Sequence, residues 1–202
     1  MNLRFSQDLE VLLKRLLDKP LSLSEIVSET SERGFSLVLS ILALPFLFPL
    51  IPPGVSTILG SGCLFLGLQM ALGRTSPWLP SKIAHFQFPR NFTRQILSNF
   101  KRISRRLEKM ISPRWLSVSE NKFFWKINGF CIAWLAFLLM LPIPFTNPLP
   151  AGIILLLAIA TLEADGLLIC IAYVLTIFAT LFFAFLGYAI WKTPEILPSI
   201  FQ

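Results

Sequence analysis

LPFLFPLIPPG, residues 44–54, decides how this chain is to be read. Pro45, Pro49, Pro52 and Pro53 interrupt a run with no charged residue from Phe35 to Gly73. Each proline removes a backbone donor and disfavours helix in the residue before it. The run is long enough to cross a bilayer, and a bilayer core offers no water to satisfy the groups that a broken helix leaves open. A second stretch of the same kind, LPIPFTNPLPAG, follows at residues 141–152. The chain breaks its apolar segments twice, and in similar ways.

Composition supports the bilayer. Of 202 residues, 54% are hydrophobic and 14% charged, with a mean hydropathy of +0.69. Ordinary soluble domains carry about 25% charged residues. Two further charge-free runs, Ile127–Leu162 and Gly166–Trp191, are also long enough to span. The expected fold class is therefore an all-α integral membrane protein. It would have two related halves, each with a Pro-rich broken helical hairpin, and a C-terminal transmembrane helix. Whether the breaks re-enter the membrane or turn outside it stays open at this point.

Five segments follow from charge and apolarity. Residues 1–33 are a cytoplasmic amphipathic segment, with Leu9, Leu12, Leu13 and Leu16 on one helical face. They lack the basic start, apolar centre and small-residue cleavage site of a signal peptide, so they are expected to be retained. Residues 34–73 form the first hairpin and residues 127–165 the second. Residues 166–202 form the C-terminal membrane helix and tail. Between the hairpins, residues 74–126 carry twelve Lys/Arg against two Asp/Glu, whereas the whole chain is only +7. By the positive-inside rule this bridge is cytoplasmic, as is the N-terminus. With a single full span after Gly166, Gln202 falls outside. Within the bridge, Phe92, Ile96, Phe100, Ile103, Leu107 and Met110 recur at steps of three and four. Arg94, Lys101, Arg102, Arg105, Arg106 and Lys109 surround them, a pattern suited to a surface of anionic lipids. Trp78, Trp115 and Trp125 flank this helix as interfacial anchors. The charge alone would suit nucleic acid, but no nucleic-acid motif accompanies it.

The two halves repeat in order. Each has an apolar approach, a Leu-Pro step, further prolines, a small residue and glycine, and a second arm. The second arms reach Gln69 and Glu163, with Gly73 and Gly166 a few residues later. Internal duplication of this kind is common among transporters and sets broken helices at matching positions. The approach of 14 residues from Phe35 to Phe48 is about 21 Å as helix, short of a core of about 30 Å.

Several of these blocks together resemble the ExoD proteins of bacteria. They are RGFSLVLSILALPFLFPLIPPGVSTILG, LQMALGRTSPWLP, and LPIPFTNPLPAG with the later LEADG. The resemblance runs from about Arg33 to Trp191. It implies a multi-pass protein of the bacterial inner membrane tied to exopolysaccharide synthesis, and it brings no catalytic residues with it. The paired breaks are also similar, in architecture alone, to small transporters with re-entrant hairpins such as the DedA group.

The available chemistry is sparse. His85 is the sole histidine, with no nucleophile motif around it, and Cys63, Cys131 and Cys170 share no metal-ligand spacing. No catalytic residue, metal or cofactor is expected, and the chain reads as a non-enzyme. A central site is expected where the two breaks meet. Its candidates in the first half are Pro45, Pro49, Pro52, Pro53, Gly54, Thr57 and Gln69. Those in the second are Pro142, Pro144, Asn147, Pro148, Pro150, Gly152, Glu163 and Asp165. Unwound carbonyls, hydroxyls and helix N-termini there suit an ion or a polar headgroup. Glu163 is the candidate proton carrier, since a low-dielectric site favours the neutral carboxyl; the bland reading makes Glu163, Asp165 and Gly166 an interfacial turn. The expected role is in exopolysaccharide synthesis or export, moving a small solute, proton or lipid-linked precursor. The alternative is a non-transporting accessory subunit of a polysaccharide-synthesis enzyme. Expected partners are anionic lipids and polysaccharide-synthesis proteins but no nucleic acid, and a homo-oligomer is compatible with the sequence.

Overall fold

The structure is a computed structural model. It describes Val11 and residues 34–47, 55–78, 114–115, 121–141, 143 and 146–200; at residues 55–56 and 193–200 it describes the backbone alone. The N-terminal leucines, the bridge helix with its six basic residues, His85, and Pro49, Pro52, Pro53, Gly54, Pro142 and Pro144 lie outside the described residues. Among the described residues the chain is all-helical, with five α-helices, one 3-10 turn and no strand.

Helix α1, Gly34–Ala43, is buried along its whole length, as expected of a helix that is apolar all round. Pro45 has no N–H to continue the α pattern, and the chain tightens into a 3-10 turn, Leu44–Leu47. Helix α2, Val55–Ala71, buries Leu59, Cys63, Leu66 and Met70 and exposes Ile58, Phe65 and Leu68. It stops in a Schellman turn: Gly73, at φ +81, donates to Met70 O at 2.8 Å, and the Arg74 N–H donates to Gln69 O at 3.0 Å. Helix α3, Lys122–Met140, is capped by Asn121, whose side chain accepts from the Phe123 N–H at 2.8 Å. Helix α4, Pro148–Leu162, starts on proline and ends at Glu163. Helix α5, Gly166–Ile200, is 35 residues long.

Contacts fix how the arms are arranged. A Cβ built on Gly67 would meet Ala133 N at 2.5 Å, and one on Gly129 would meet Ala71 N at 2.2 Å; Gly60 faces Met140. These pairs run in opposite directions along α2 and α3, so the two helices are antiparallel with their backbones in contact. Small residues serve this purpose in a membrane, where apolar side chains gain little by leaving lipid. Helix α1 packs against α4 in turn, so each hairpin lends an arm to the other as well as packing on itself.

The ring of Phe35 meets that of Trp125 edge-on at 5.8 Å, and Lys126 lies over Gly73. The starts of α1, α3 and α5 and the ends of α2 and α4 thus share one end of the bundle, which carries Arg74, Lys122 and Lys126. The described parts of both Pro-rich breaks lie at the other end, where Leu47 packs against Gly152.

Helices α3 and α5 run parallel. Tyr173 reaches Asn128, and the Trp134 Nε1–H donates to Thr180 Oγ1 at 2.9 Å. Met140, the last residue of α3, is therefore level with about Leu186, and the apolar part of α5 continues to Lys192, about 9 Å further. Among its described side chains, helix α5 is buried along Leu168, Ile169, Ala172, Thr176, Ala179 and Phe183, with Gly166 buried at its start. Val174, Phe178, Leu181 and Phe185 point outward, as do Phe130 and Phe137 of α3. So much outward apolar surface needs lipid or protein around it. Two helices, Lys122–Met140 and Gly166–Lys192, are long and apolar enough to cross a membrane, and the chain is membrane-associated.

Candidate functional site

At the Pro-rich end, the prolines empty the start of α4 of donors. A helix N-cap normally accepts from the second or third backbone N–H of its helix. Asn147 is the N-cap, but the third position is Pro150, and the Leu149 N–H already donates to Thr146 O at 3.2 Å. The Ala151 N–H goes to the Asn147 main-chain oxygen at 3.2 Å, and the Thr146 hydroxyl goes to Ile143 O at 2.9 Å. Asn147 Oδ1 is left buried with no hydrogen-bond partner among the described residues. Pro45 and Pro150 are buried nearby in the sequence of each break, Gly152 is half-buried beside Leu47, and Pro148 and Thr57 are exposed.

The other candidates sit at the basic end, about 22 Å away along the 15 residues of α4. Gln69 is 8% exposed; its Nε2 donates to Phe65 O at 3.3 Å, and both amide atoms also bond Trp78. Its Nε2 donates to Trp78 O at 2.6 Å, and its Oε1 accepts the Trp78 N–H at 2.8 Å. Glu163 is half-buried at the C-cap of α4, its backbone N–H bonded to Ile159 O. Ala164, at φ +56, takes the left-handed position of a second Schellman turn, and the Asp165 N–H donates to Ala160 O at 2.9 Å. The turn geometry thus pairs Gln69 with Ala160 and Gly73 with Ala164. Asp165 is fully buried and caps α5, accepting the Leu168 N–H at 3.2 Å. Gly166 makes a different contact. Its N–H donates to Arg114 O at 2.7 Å, and a Cβ there would meet Trp115 O at 2.6 Å. The end of the bridge docks on this turn. The candidates therefore form two groups, one at each end of the bundle.

Just inside the basic end lies a polar cluster that the sequence reading missed. Asn128, 2% exposed, accepts from the Tyr173 hydroxyl at 2.6 Å and donates to Thr161 Oγ1 at 3.1 Å. The Thr161 hydroxyl donates on to Leu157 O at 2.7 Å. Three helices, α3, α4 and α5, are tied by this chain. The available signal was an asparagine inside the apolar run that begins at Ile127, and a tyrosine inside the run that begins at Gly166. Cys63 is buried, Cys131 and Cys170 are half-buried, and all three are free thiols. Among the described residues no group of three His, Cys, Asp or Glu side chains comes together to hold a metal ion.

A family model described as "Exopolysaccharide synthesis, ExoD" matches residues 5–185. The chain belongs to the ExoD family. It is 32% identical over 199 residues to Protein ExoD of Rhizobium meliloti, covering 97% of this chain and 82% of that protein. It is 30% identical over 166 residues to an uncharacterized protein of Synechocystis sp., covering 82% and 78% of the two. No solved structure matches it. Both the Asn147 break and the Asn128 cluster fall inside the segment that matches the ExoD family.

Proposed function

We propose that this ExoD-family chain is a multi-pass inner-membrane protein that serves exopolysaccharide production by passing a small polar solute or lipid-linked precursor through the place where its two broken hairpins meet. The observation that carries this reading is the uncommitted acceptor Asn147 Oδ1, buried at the Pro-rich end of an apolar bundle. An unmet buried acceptor costs about 1–3 kcal/mol, and in a membrane protein such groups default to function. A hydroxyl, an ammonium or a hydrated proton would complete it.

Re-entrant hairpins fit this reading. Helices α2 and α4, of 17 and 15 residues, are about 25 and 22 Å long, short of a core of about 30 Å. Apolar α5 runs past them, so hairpins that start at the cytoplasmic surface would end inside the bilayer. Their broken backbone is tolerable there only under cover of protein, which the exchange of arms supplies. The shared turn at the ends of α2 and α4 supports two related halves. The basic end then faces the cytoplasm.

Purified protein in liposomes tests this. Flux of protons or of a lipid-linked sugar without other proteins, lost in Asn147→Leu, supports it; no flux in any gradient refutes it. The accessory-subunit reading is favoured by a different observation. Gln69, Asn128 and Asp165 direct their polar atoms at the protein's own helices and turns. An inert protein that co-purifies with a glycosyltransferase would establish that role.

A further inference from the structure

We infer that Trp78, Arg74, Lys122 and Lys126 form a binding site for the phosphodiester headgroup of an anionic phospholipid at the basic end of the bundle. The site is assembled by the Schellman turn of α2. Gly73 at φ +81 reverses the chain, so that Arg74 follows directly beyond the helix end. The Lys126 side chain crosses the same turn, its Cε 3.1 Å and its Nζ 4.0 Å from a Cβ placed on Gly73. Lys122 is one turn earlier on α3 and so on the same face. The Trp125 indole N–H donates to Arg74 O at 3.2 Å and fixes the loop to α3. Three exposed cations thus gather around one helix end.

The indole is placed as deliberately as the charges. Gln69 is buried in an apolar helix, and burying an amide is unfavourable unless its hydrogen bonds are met. Both of its bonds to Trp78 go to that residue's backbone and fix its place in the loop, and Trp78 is 59% exposed. An exposed tryptophan at the same end of the bundle as lysine and arginine suits a membrane–water interface, where the ring lies among headgroups and the cations meet phosphate. The negative partner does not come from the described part of the chain. Among the residues whose side chains are described, the acids are Glu163 and Asp165, and Asp165 is fully buried. This site stands apart from the Asn147 break and does not depend on what passes there.

The test uses the full-length protein, purified in detergent and offered equal amounts of phosphatidylglycerol and phosphatidylcholine, with bound lipid counted by native mass spectrometry. Wild type is expected to retain phosphatidylglycerol preferentially. Lys122→Gln with Lys126→Gln should lower that preference at least about fivefold, the effect of losing one surface charge or more. Trp78→Ala should reduce retention of both lipids, and inorganic phosphate in excess should displace neither. The inference fails if wild type holds both lipids equally. It fails if the lysine pair leaves the preference unchanged while Arg102→Gln, Arg105→Gln and Arg106→Gln together abolish it. It also fails if inorganic phosphate strips the lipid, which would make this an oxyanion site and not a lipid site. Trp78, Lys122 and Lys126 are exposed, and circular dichroism with size exclusion checks that every variant is folded.

Discussion

Gly129→Ala adds one methyl group where none fits. Its Cβ would lie 2.2 Å from Ala71 N, 2.6 Å from the Met70 carbonyl carbon and 2.6 Å from Met70 Cβ. Two of these atoms are backbone, so no rotamer change relieves the contact. Ordinary carbon contacts need about 3.5 Å, so α2 and α3 must separate by more than 1 Å along their crossing. Overpacking of a close interface costs about 1–3 kcal/mol, and a clash with backbone belongs at the upper end. Gly67→Ala should behave similarly, since its Cβ would meet Ala133 N at 2.5 Å and Ala133 Cα at 2.9 Å. The double variant should cost less than the sum, because one separation relieves both contacts. Two internal controls exist. Gly60→Ala meets the flexible Met140 Cγ at 2.9 Å, which can move, and should cost under about 1 kcal/mol. Gly187→Ala meets nothing within 4 Å among the described residues and should be neutral or stabilising by up to about 1 kcal/mol. Thermal unfolding of the purified variants in one detergent gives the order. Equal stability of Gly129→Ala and Gly187→Ala would refute the backbone-contact packing of α2 on α3.

Ala164→Gly should stabilise the protein by about 1 kcal/mol, because φ +56 strains an alanine and not a glycine; a lower melting temperature would count against that turn. Asn128→Leu removes the hub of the three-helix cluster; the Tyr173 hydroxyl must find another acceptor, while the Thr161 hydroxyl keeps Leu157 O. A loss of about 1–2 kcal/mol is expected, with a smaller loss for Tyr173→Phe, both read by the same unfolding assay. Glu163→Gln keeps size and hydrogen-bonding reach while holding the side chain neutral. If Glu163 carries protons, folded protein with lost polysaccharide output results, whereas full output across the usable pH range removes that role. Asp165→Asn should be milder in the same assay if Asp165 only caps the turn, since an asparagine oxygen also caps the Leu168 N–H.

The described helices were legible because prolines, glycines and charges punctuate them. The run after Phe35 ends its α pattern just before Pro45, and α2 stops at Gly73, where only a residue free of Cβ strain reverses the chain so cheaply. Gly166–Trp191 is helical throughout, within the longer α5. The sequence reading could not reach which arm touches which. Charge-free helices advertise no partner, and the informative residues, Gly67, Gly129 and Ala133, look like ordinary small residues until two backbones meet. Gln69 and Glu163 looked equivalent by order along the chain, yet the two Schellman turns set Gln69 against Ala160. A repeat read by residue type drifts by a few positions where the same turn is built once on glycine and once on alanine.

The exchange of arms also gives a physical reason for breaking two helices and not one. A single broken hairpin in a bilayer would expose the carbonyls and N–H groups freed by its prolines to lipid, at several kcal/mol each. Here α1 lies wholly inside the bundle, with α4 packed against it, and Leu47 near the start of the first break rests on Gly152, the last residue of the second. At this described contact the two hairpins cover one another. That contact makes the described part of the Pro-rich end a joint structure, in which Asn147 Oδ1 has no hydrogen-bond partner among the described residues. A lesion that parts α2 from α3, such as Gly129→Ala, should then disturb the Pro-rich end as well as the stability of the bundle. Accessibility of a cysteine introduced at Asn147 reports this directly: it should rise in the Gly129→Ala background and stay unchanged in Gly187→Ala. If it stays unchanged in both, the two ends of the bundle are uncoupled and the breaks do not cover one another.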